Sequence, residues 1–292
     1  MTERVTDWQR QGATQEFRGR SIHTFAREGS GPLVVFLHGF PSSSYDFRFV
    51  FERLAGRALL AFDCLGFGLS DKPRDHTYSL AWQADLAEEL IIRAAPSDPV
   101  VLVAHDMGTS VATELMARAL RGEQRVEISA ALLFNGSIVL ERSSPTPAQK
   151  LLRSPIGPLA ARLTSKPVFR HQLGSVFSAE HPLSSEEAED QWALVCHNGG
   201  RTLGNKLVHY MDEREQLRDR WHGAFSVWRG RLELLWGMRD PVASTAVLAA
   251  LRALRPSVAT VELPDIGHYP QLEAPDRVVG AIDSLLAGLS RP

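Results

Sequence analysis

Six short runs of consecutive apolar residues recur along the chain, and most are followed by a loop and a helix-like pattern. These runs do not alternate apolar and polar positions, so both faces of each strand should be buried. Helical patterns at 80–93 and 109–120 lie among them, which is the arrangement of a parallel sheet covered by helices on both faces. The predicted fold class is therefore α/β, with strands at 33–37, 58–62, 100–103, 130–134, 232–236 and 259–263.

Predicted strands stop recurring between about residues 138 and 222, where prolines are frequent and no strand-like run of useful length occurs. Ser184, followed by acidic residues, is typical of a helix N-terminus and predicts that a helix begins there. We expect a helical insertion in an α/β core, with core at 1–138, a cap at 139–222 and core again at 223–292. Near the N-terminus, segment 17–27 alternates more and predicts an antiparallel edge hairpin.

Composition argues against several classes of function. The 292 residues carry a formal net charge of −2 without a basic run, which gives no electrostatic reason to expect a nucleic-acid partner. Cys64 and Cys196 are far apart and lack metal-ligand spacing, so neither a disulfide framework nor a metal site is predicted. The N-terminus is too polar for a signal peptide, and no apolar stretch approaches the roughly 18–20 residues that span a bilayer. We expect a soluble, cytoplasmic monomer or homodimer without a cofactor.

Asp106 stands where the run at 100–103 should turn into the helix at 109–120. Small residues two positions before and two after it, Ala104 and Gly108, allow the sharp strand-to-helix turn that exposes a nucleophile. Ligands of open α/β sheets bind at such carboxyl ends of strands. A simpler alternative is that Asp106 only caps the helix. Ser110 resembles a nucleophile in its local sequence, but it falls inside the helix.

Two further residues follow later strands and complete a set with Asp106. Asp240 comes just after the run at 232–236, and His268 comes just after the last run. The chain order is that of nucleophile, acid and base in one family of α/β enzymes. The loop after the first parallel strand can aim the Phe40 N–H at the same cleft, and the Met107 N–H would complete an oxyanion hole.

Four motifs make the chain resemble the α/β-hydrolases, specifically the branch of epoxide hydrolases and haloalkane dehalogenases. They are HGFPSSSYDFR at 38–48, DCLGFGLSDKP at 63–73, AHDMG at 104–108 and GHYPQLEAP at 267–275. Together with NGS at 135–137, they are also similar to the mesoderm-specific-transcript-like proteins of that family. The resemblance covers nearly the whole chain and weakens in the cap. It implies an α/β-hydrolase core with an inserted helical cap and an aspartate nucleophile.

An aspartate nucleophile can displace a leaving group at a saturated carbon and form an alkyl-aspartyl ester. Its ordinary pKa of about 3.9 means that it is ionised at neutral pH without a base. His268, oriented by Asp240, would then act as a neutral imidazole that deprotonates water for hydrolysis of the ester. We therefore expect a covalent mechanism through Asp106.

The leaving group decides between two activities. A departing alkoxide needs a proton, which a tyrosine can supply, whereas a halide needs N–H donors. The dehalogenases that this chain resembles have tryptophan after the nucleophile and asparagine in the first loop, where Met107 and Phe40 stand. Epoxide hydrolases usually bring two cap tyrosines. Tyr210 matches the second, with a packed structural tyrosine as the alternative. His171 is a candidate for the first, although a surface histidine is the more ordinary interpretation.

We therefore predict an epoxide hydrolase that acts on a small, apolar epoxide. His38, Pro41 and His171 are candidates for the substrate pocket. Two alternatives stay open: a related hydrolase with another substrate, such as a haloalkane dehalogenase or an esterase, and a non-catalytic binding protein on the same scaffold.

Overall fold

The computed structural model describes residues 1–95 and 98–289, and one eight-stranded sheet forms its centre. The strands are β1 Ala13–Phe17, β2 Arg20–Arg27, β3 Ser30–Leu37, β4 Arg57–Phe62, β5 Val100–His105, β6 Ile128–Phe134, β7 Arg231–Gly237 and β8 Ala259–Leu263. Their spatial order is β1-β2-β4-β3-β5-β6-β7-β8. The β2 strand runs antiparallel to its neighbours β1 and β4, and the remaining neighbouring pairs are parallel.

The α/β fold class is confirmed, since the six predicted runs all fall within the parallel strands β3 to β8. The antiparallel hairpin also lies at the edge of the sheet, but it begins at Ala13 rather than at residue 17. The helix Glu3–Gln11, which precedes it, was not predicted from the sequence. It begins at Thr2, whose hydroxyl accepts a hydrogen bond from the Val5 N–H at 3.2 Å, and it buries Val5 and Trp8.

The helices are α1 Glu3–Gln11, α2 Arg48–Arg53, α3 Leu80–Ala94, α4 Met107–Arg121, α5 Pro147–Arg153, α6 Gly157–Leu163, α7 Lys166–Gly174, α8 Ser185–Cys196, α9 Gly204–Leu207, α10 Tyr210–Gln216, α11 Arg218–Val227, α12 Thr245–Leu254, α13 Pro270–Glu273 and α14 Pro275–Ala287. Short 3₁₀ turns occupy Ser44–Phe47, Leu140–Arg142 and His197–Leu203. Within the described ranges, none of the helices is long and apolar enough to cross a membrane.

Alternate side chains of the central strands enter separate cores on the two faces of the sheet. In β3, Val35 and Leu37 pack in one core with residues of α3, α4, α11 and α12. Val34 and Phe36 pack in the other core with residues of α1, α2 and α14. Both faces of these strands are therefore dry, and this explains why their sequences show continuous apolar runs instead of alternation.

The chain between β6 and β7 contains helices α5 to α11 and no strand. The predicted start of α8 is confirmed, because the Ser184 hydroxyl accepts a hydrogen bond from the Glu187 N–H at 3.0 Å. The division of the chain at 138/139 and 222/223 stays a prediction. Its second boundary falls inside α11, whose Trp221 indole donates to Glu114 of α4 at 2.9 Å. Residues 96–97 and 290–292 of the predicted core lie outside the described residues.

Candidate active site

Asp106 occupies the apex of a sharp turn between β5 and α4. Its backbone has φ 43° and ψ −110°, a conformation that costs a non-glycine residue about 1–3 kcal/mol. The neighbouring backbones approach so closely that a Cβ on Gly39 would lie 2.7 Å from Asp106 Cβ, and one on Gly108 would lie 2.2 Å from the Leu37 carbonyl oxygen. The Asp106 side chain makes no capping hydrogen bond to α4, so the helix-cap alternative is wrong.

The two carboxylate oxygens of Asp106 have different surroundings. The Phe40 N–H donates to Oδ2 at 3.0 Å, whereas Oδ1 lies 3.5 Å from Nη2 of Arg214. Burial raises the pKa of this carboxyl, but the positive charges of Arg214 and His268 outweigh burial and lower it below its usual range. Asp106 is therefore ionised. Among the described residues, no backbone N–H donates a hydrogen bond to its Oδ1.

The second predicted donor is Met107, which begins α4 and is buried. The N–H groups of the first helical turn have no acceptor within their own helix. The Met107 N–H is therefore available at the same turn where the Phe40 N–H already binds the Asp106 carboxylate.

His268 and Asp240 form the predicted pair, since Nδ1 of the imidazole lies 2.7 Å from Oδ2 of the carboxylate. The other oxygen, Oδ1, accepts from the Val242 N–H at 2.7 Å and the Ala243 N–H at 3.0 Å. Asn135 fixes the same carboxylate, because its side-chain amide donates to Oδ2 at 2.8 Å. These contacts hold the Asp240 carboxylate in place to orient the imidazole.

Charge at the site changes the protonation state expected of the imidazole. Burial lowers the pKa of His268, but the Asp240 carboxylate and then the Asp106 carboxylate raise it to about 9. The sequence predicted a neutral imidazole as the base. The raised pKa instead favours the imidazolium form at neutral pH while Asp106 is charged, and neutralisation of Asp106 would lower this pKa.

Two buried side chains hold the loop that carries His268. His105 Nε2 lies 2.7 Å from the His268 carbonyl oxygen, and burial lowers the pKa of His105 to about 3, so its neutral ring donates there. Glu273 accepts from the Gly267 N–H at 2.8 Å and from the Tyr269 N–H at 3.0 Å. The loop is thus fixed on both sides of His268.

A cavity of about 130 Å³ lies between the core and the helices of the insertion. Its wall includes His268, Phe40 and Pro41 from the core, with apolar cap residues such as Phe169 and Leu173. Asp106 is 4% exposed and does not itself form part of this wall, but Phe40 contacts its carboxylate directly. The cavity therefore ends beside Asp106, and Pro41 is part of its wall.

Tyr210 is buried behind the cavity wall and shares helix α10 with Arg214. The Arg214 guanidinium lies 4.6 Å from the centre of the Tyr210 ring, and the Phe40 ring lies 5.7 Å away. The Tyr210 oxygen accepts from the Gln149 amide at 3.4 Å, and Gln149 lines the cavity. Since the amide uses an acceptor position of the phenol, the O–H proton stays free to donate.

Two predicted pocket residues do not line the cavity. His38 is fully buried, with Nδ1 2.9 Å from the Gly39 carbonyl oxygen and Nε2 accepting from the Cys64 N–H at 2.9 Å. It supports the loop backbone. His171 is exposed, because α7 turns Phe169 and Leu173 towards the cavity and leaves His171 outside. His171 therefore does not replace a missing tyrosine.

Arg214 and Asn135 contact the candidate site but were not assigned a role from the sequence. The Arg214 guanidinium donates to the Asp106 carbonyl oxygen at 2.9 Å and to the Ser110 hydroxyl at 2.8 Å. The sequence feature that could have indicated Arg214 is its position four residues after Tyr210, because residues at this spacing share a face of a helix. Asn135 follows β6 directly, in the quoted NGS motif, at a strand end that faces the site.

Comparisons with known proteins agree with this architecture. The model of the alpha/beta hydrolase family matches residues 34–281. The putative hydrolase LipZ of Mycobacterium tuberculosis is 52% identical over 264 residues, which cover 90% of this chain and 91% of LipZ. The human mesoderm-specific transcript homolog protein is 37% identical over 255 residues, covering 85% of this chain and 76% of that protein.

Among solved structures, the haloalkane dehalogenase DbeA from Bradyrhizobium elkani is similar, with a TM-score of 0.80 and 23% identity. The match covers 95% of this chain and 97% of DbeA. At this identity the likeness concerns the fold alone. The family model and the relatives together show more, and the resemblance noted in the sequence is confirmed: the chain belongs to the alpha/beta hydrolase family.

Proposed function

We propose that this hydrolase opens epoxides through a covalent alkyl-aspartyl ester on Asp106. One observation carries the proposal: at the apex of the turn, Oδ2 of Asp106 accepts a hydrogen bond from the Phe40 N–H, whereas no backbone group within residues 1–95 and 98–289 donates to Oδ1. Oδ2 thus already occupies the position where a developing oxyanion is stabilised, and Oδ1 is left as the attacking atom. A residue that only capped the helix would not have this arrangement.

In the first step, Oδ1 of Asp106 attacks an epoxide carbon and the carbon–oxygen bond of the ring breaks. The resulting alkoxide takes the proton of the Tyr210 hydroxyl. Burial raises the pKa of this phenol, as does the Asp106 carboxylate, while Arg214 opposes them. When Asp106 becomes a neutral ester, one raising influence disappears, so the phenol becomes a better acid as the bond breaks.

In the second step, the loss of charge on Asp106 lowers the pKa of His268, and the imidazolium gives up its proton through solvent to the Tyr210 phenolate that the first step left. The phenol is thereby restored, and His268 becomes a neutral imidazole. His268 removes a proton from water, and the resulting hydroxide attacks the carbonyl carbon of the aspartyl ester. The Phe40 and Met107 N–H groups stabilise the oxyanion, and each such donor contributes about 3 kcal/mol. Collapse of the intermediate restores the Asp106 carboxylate and releases a diol.

The cavity favours an epoxide over a haloalkane. Halide stabilisation relies on N–H donors, typically tryptophan indoles, yet within the described residues no tryptophan lines the cavity. The indoles of Trp221 and Trp236 are already bonded, to Glu114 at 2.9 Å and to the Ala243 carbonyl at 2.8 Å. The largely apolar wall suits an apolar substrate.

The test is intact-protein mass spectrometry of His268→Gln after incubation with aryl and alkyl epoxides and with haloalkanes. Without the base the ester should accumulate, giving a mass gain of one whole epoxide that is absent when Asp106→Asn is added. A gain of only an alkyl group from haloalkanes would instead assign dehalogenation. No adduct, combined with ester hydrolysis that depends on Asp106, would assign an esterase, and no turnover of any class would leave a binding protein.

His171→Gln is the matched control for this test, since His171 is an exposed histidine outside the cavity. This variant should turn over without accumulating an adduct.

A further inference from the structure

Large apolar side chains exposed to solvent are concentrated on the cap. Of the nine in the described residues, five lie within positions 151–168. They are Leu151 (44% exposed), Ile156 (59%), Leu159 (57%), Leu163 (70%) and Val168 (46%). Scattered exposed apolar residues are ordinary, so the unusual feature is their concentration in this one short stretch of the chain.

Helix α6 separates this cluster from the cavity. Positions 156, 159 and 163 follow the spacing of one helical face, so Ile156, Leu159 and Leu163 share a side. Ala161 and Thr164, from the other side, line the cavity. The exposed apolar side chains and the cavity therefore lie one helix apart.

The same stretch carries only positive charge. Residues 142–179 contain six Lys and Arg residues and no Asp or Glu, although the whole chain has a net charge of −2. Two of the six are paired, Lys166 with Glu189 at 2.6 Å and Arg153 with Asp212. Among the described residues, no carboxylate lies within 4 Å of the exposed side chains of Lys150, Arg162 and Arg170.

We propose that the outer surface of α5, α6 and α7, here called the cap face, docks on an anionic lipid bilayer. Its apolar side chains would enter the boundary between headgroups and acyl chains, and Lys150, Arg162 and Arg170 would contact the lipid phosphates. Charge complementarity is the argument for this partner, because an uncharged apolar partner would leave these cations unpaired. Docking places the apolar cavity next to a reservoir of apolar substrates and does not depend on which bond the enzyme breaks.

The experiment is flotation of the full chain with vesicles of equal parts phosphatidylglycerol and phosphatidylcholine, compared with phosphatidylcholine alone. Binding is expected only to the anionic vesicles, and it should weaken at high salt. Each arginine removed in Arg162→Gln and Arg170→Gln should lower the partition coefficient about fivefold. The double variant Leu159→Ser with Leu163→Ser should also lose binding.

Two exposed valines outside the cap face provide the matched control, Val227 (63% exposed) and Val261 (44%). The double variant Val227→Ser with Val261→Ser should bind as the wild type does. Equal binding to both vesicle types, no binding to either, or an equal loss in the control would overturn the proposal. A dimer in analytical ultracentrifugation that dissociates only in the leucine variant would assign the cap face to a second copy of the chain and also overturn it.

Discussion

Nη2 of Arg214 lies 3.5 Å from Oδ1 of Asp106 and donates to the carbonyl oxygen of the same residue at 2.9 Å. A side chain of helix α10 thus binds both the backbone carbonyl and the carboxylate of the proposed nucleophile. The contact also connects the insertion to the turn between β5 and α4. Because a buried carboxylate without a partner is costly, the Arg214 guanidinium keeps the buried Asp106 carboxyl ionised.

Replacing Arg214 should change the pH dependence of ester formation. The native pKa of Asp106 is depressed, so the reactive carboxylate persists to low pH. Arg214→Met removes the positive charge that most strongly counteracts the effect of burial on Asp106, so the pKa of Asp106 should rise. The acidic limb of the single-turnover rate should therefore move to higher pH. We expect Arg214→Lys to restore most of the shift, whereas Arg153→Met, which removes another arginine bonded to α10, should leave the limb in place.

The charge on Asp106 should set the protonation of His268. The two carboxylates raise the pKa of this imidazole to about 9. In Asp106→Asn one of them is neutral, so the pKa should fall, in the same direction as on ester formation. Nitrogen-15 NMR titration of His268 measures this directly. The exposed variant Asp276→Asn should leave the titration unchanged, and an unchanged value in Asp106→Asn would remove the proposed trigger for the second step.

Asn135 should matter for ester hydrolysis rather than for ester formation, because it orients Asp240. Asn135→Gly preserves the backbone, which has φ 44°, and removes only the side chain. Loss of its hydrogen bonds should cost about 1–3 kcal/mol, seen as a decay of the ester that is about 5- to 150-fold slower. Asn198→Gly, with φ 48° in an exposed turn, is the control for the backbone change and should decay normally.

Tyr210→Phe should slow epoxide opening by about 10²- to 10⁴-fold, the usual contribution of a general acid. The ring and its contacts with Arg214 and Phe40 would remain. Burst kinetics with an epoxide and with an activated carboxylic ester separate the two reactions, and only the first should slow. Tyr269→Phe alters a tyrosine of the cavity wall and serves as comparison; a larger effect there would transfer the acid role to Tyr269.

A covalent ester predicts where the oxygen of water appears. In one turnover in H₂¹⁸O, the heavy oxygen should enter the Asp106 carboxylate, and the diol should carry oxygen from the protein. Peptide mass spectrometry of the segment that contains Asp106 detects the label. Heavy oxygen in the first diol and none in Asp106 would mean that His268 activates water for direct attack on the substrate.

Several elements of the fold follow from local sequence alone. The apolar runs specified strands that are buried on both faces, as β3 shows with side chains in both cores. Small residues around Asp106 indicated the tight turn, since steric limits on the backbone operate between neighbours in the chain. The chain order of Asp106, Asp240 and His268 is read directly from the sequence, and their proximity was expected because the carboxyl ends of parallel strands meet at one edge of the sheet.

Side-chain contacts across long separations were decided only by the tertiary structure. Arg214 reaches Asp106 over 108 positions, and Asn135 reaches Asp240 over 105. Local patterns could not reveal that His38 supports loop backbone, and they left open whether His171 faces the cavity or the solvent, because both depend on tertiary packing. The sequence by itself determined the strands, the turn and the order of the candidate triad; packing decided the charges around them, since burial and ion pairing exist only in the folded chain.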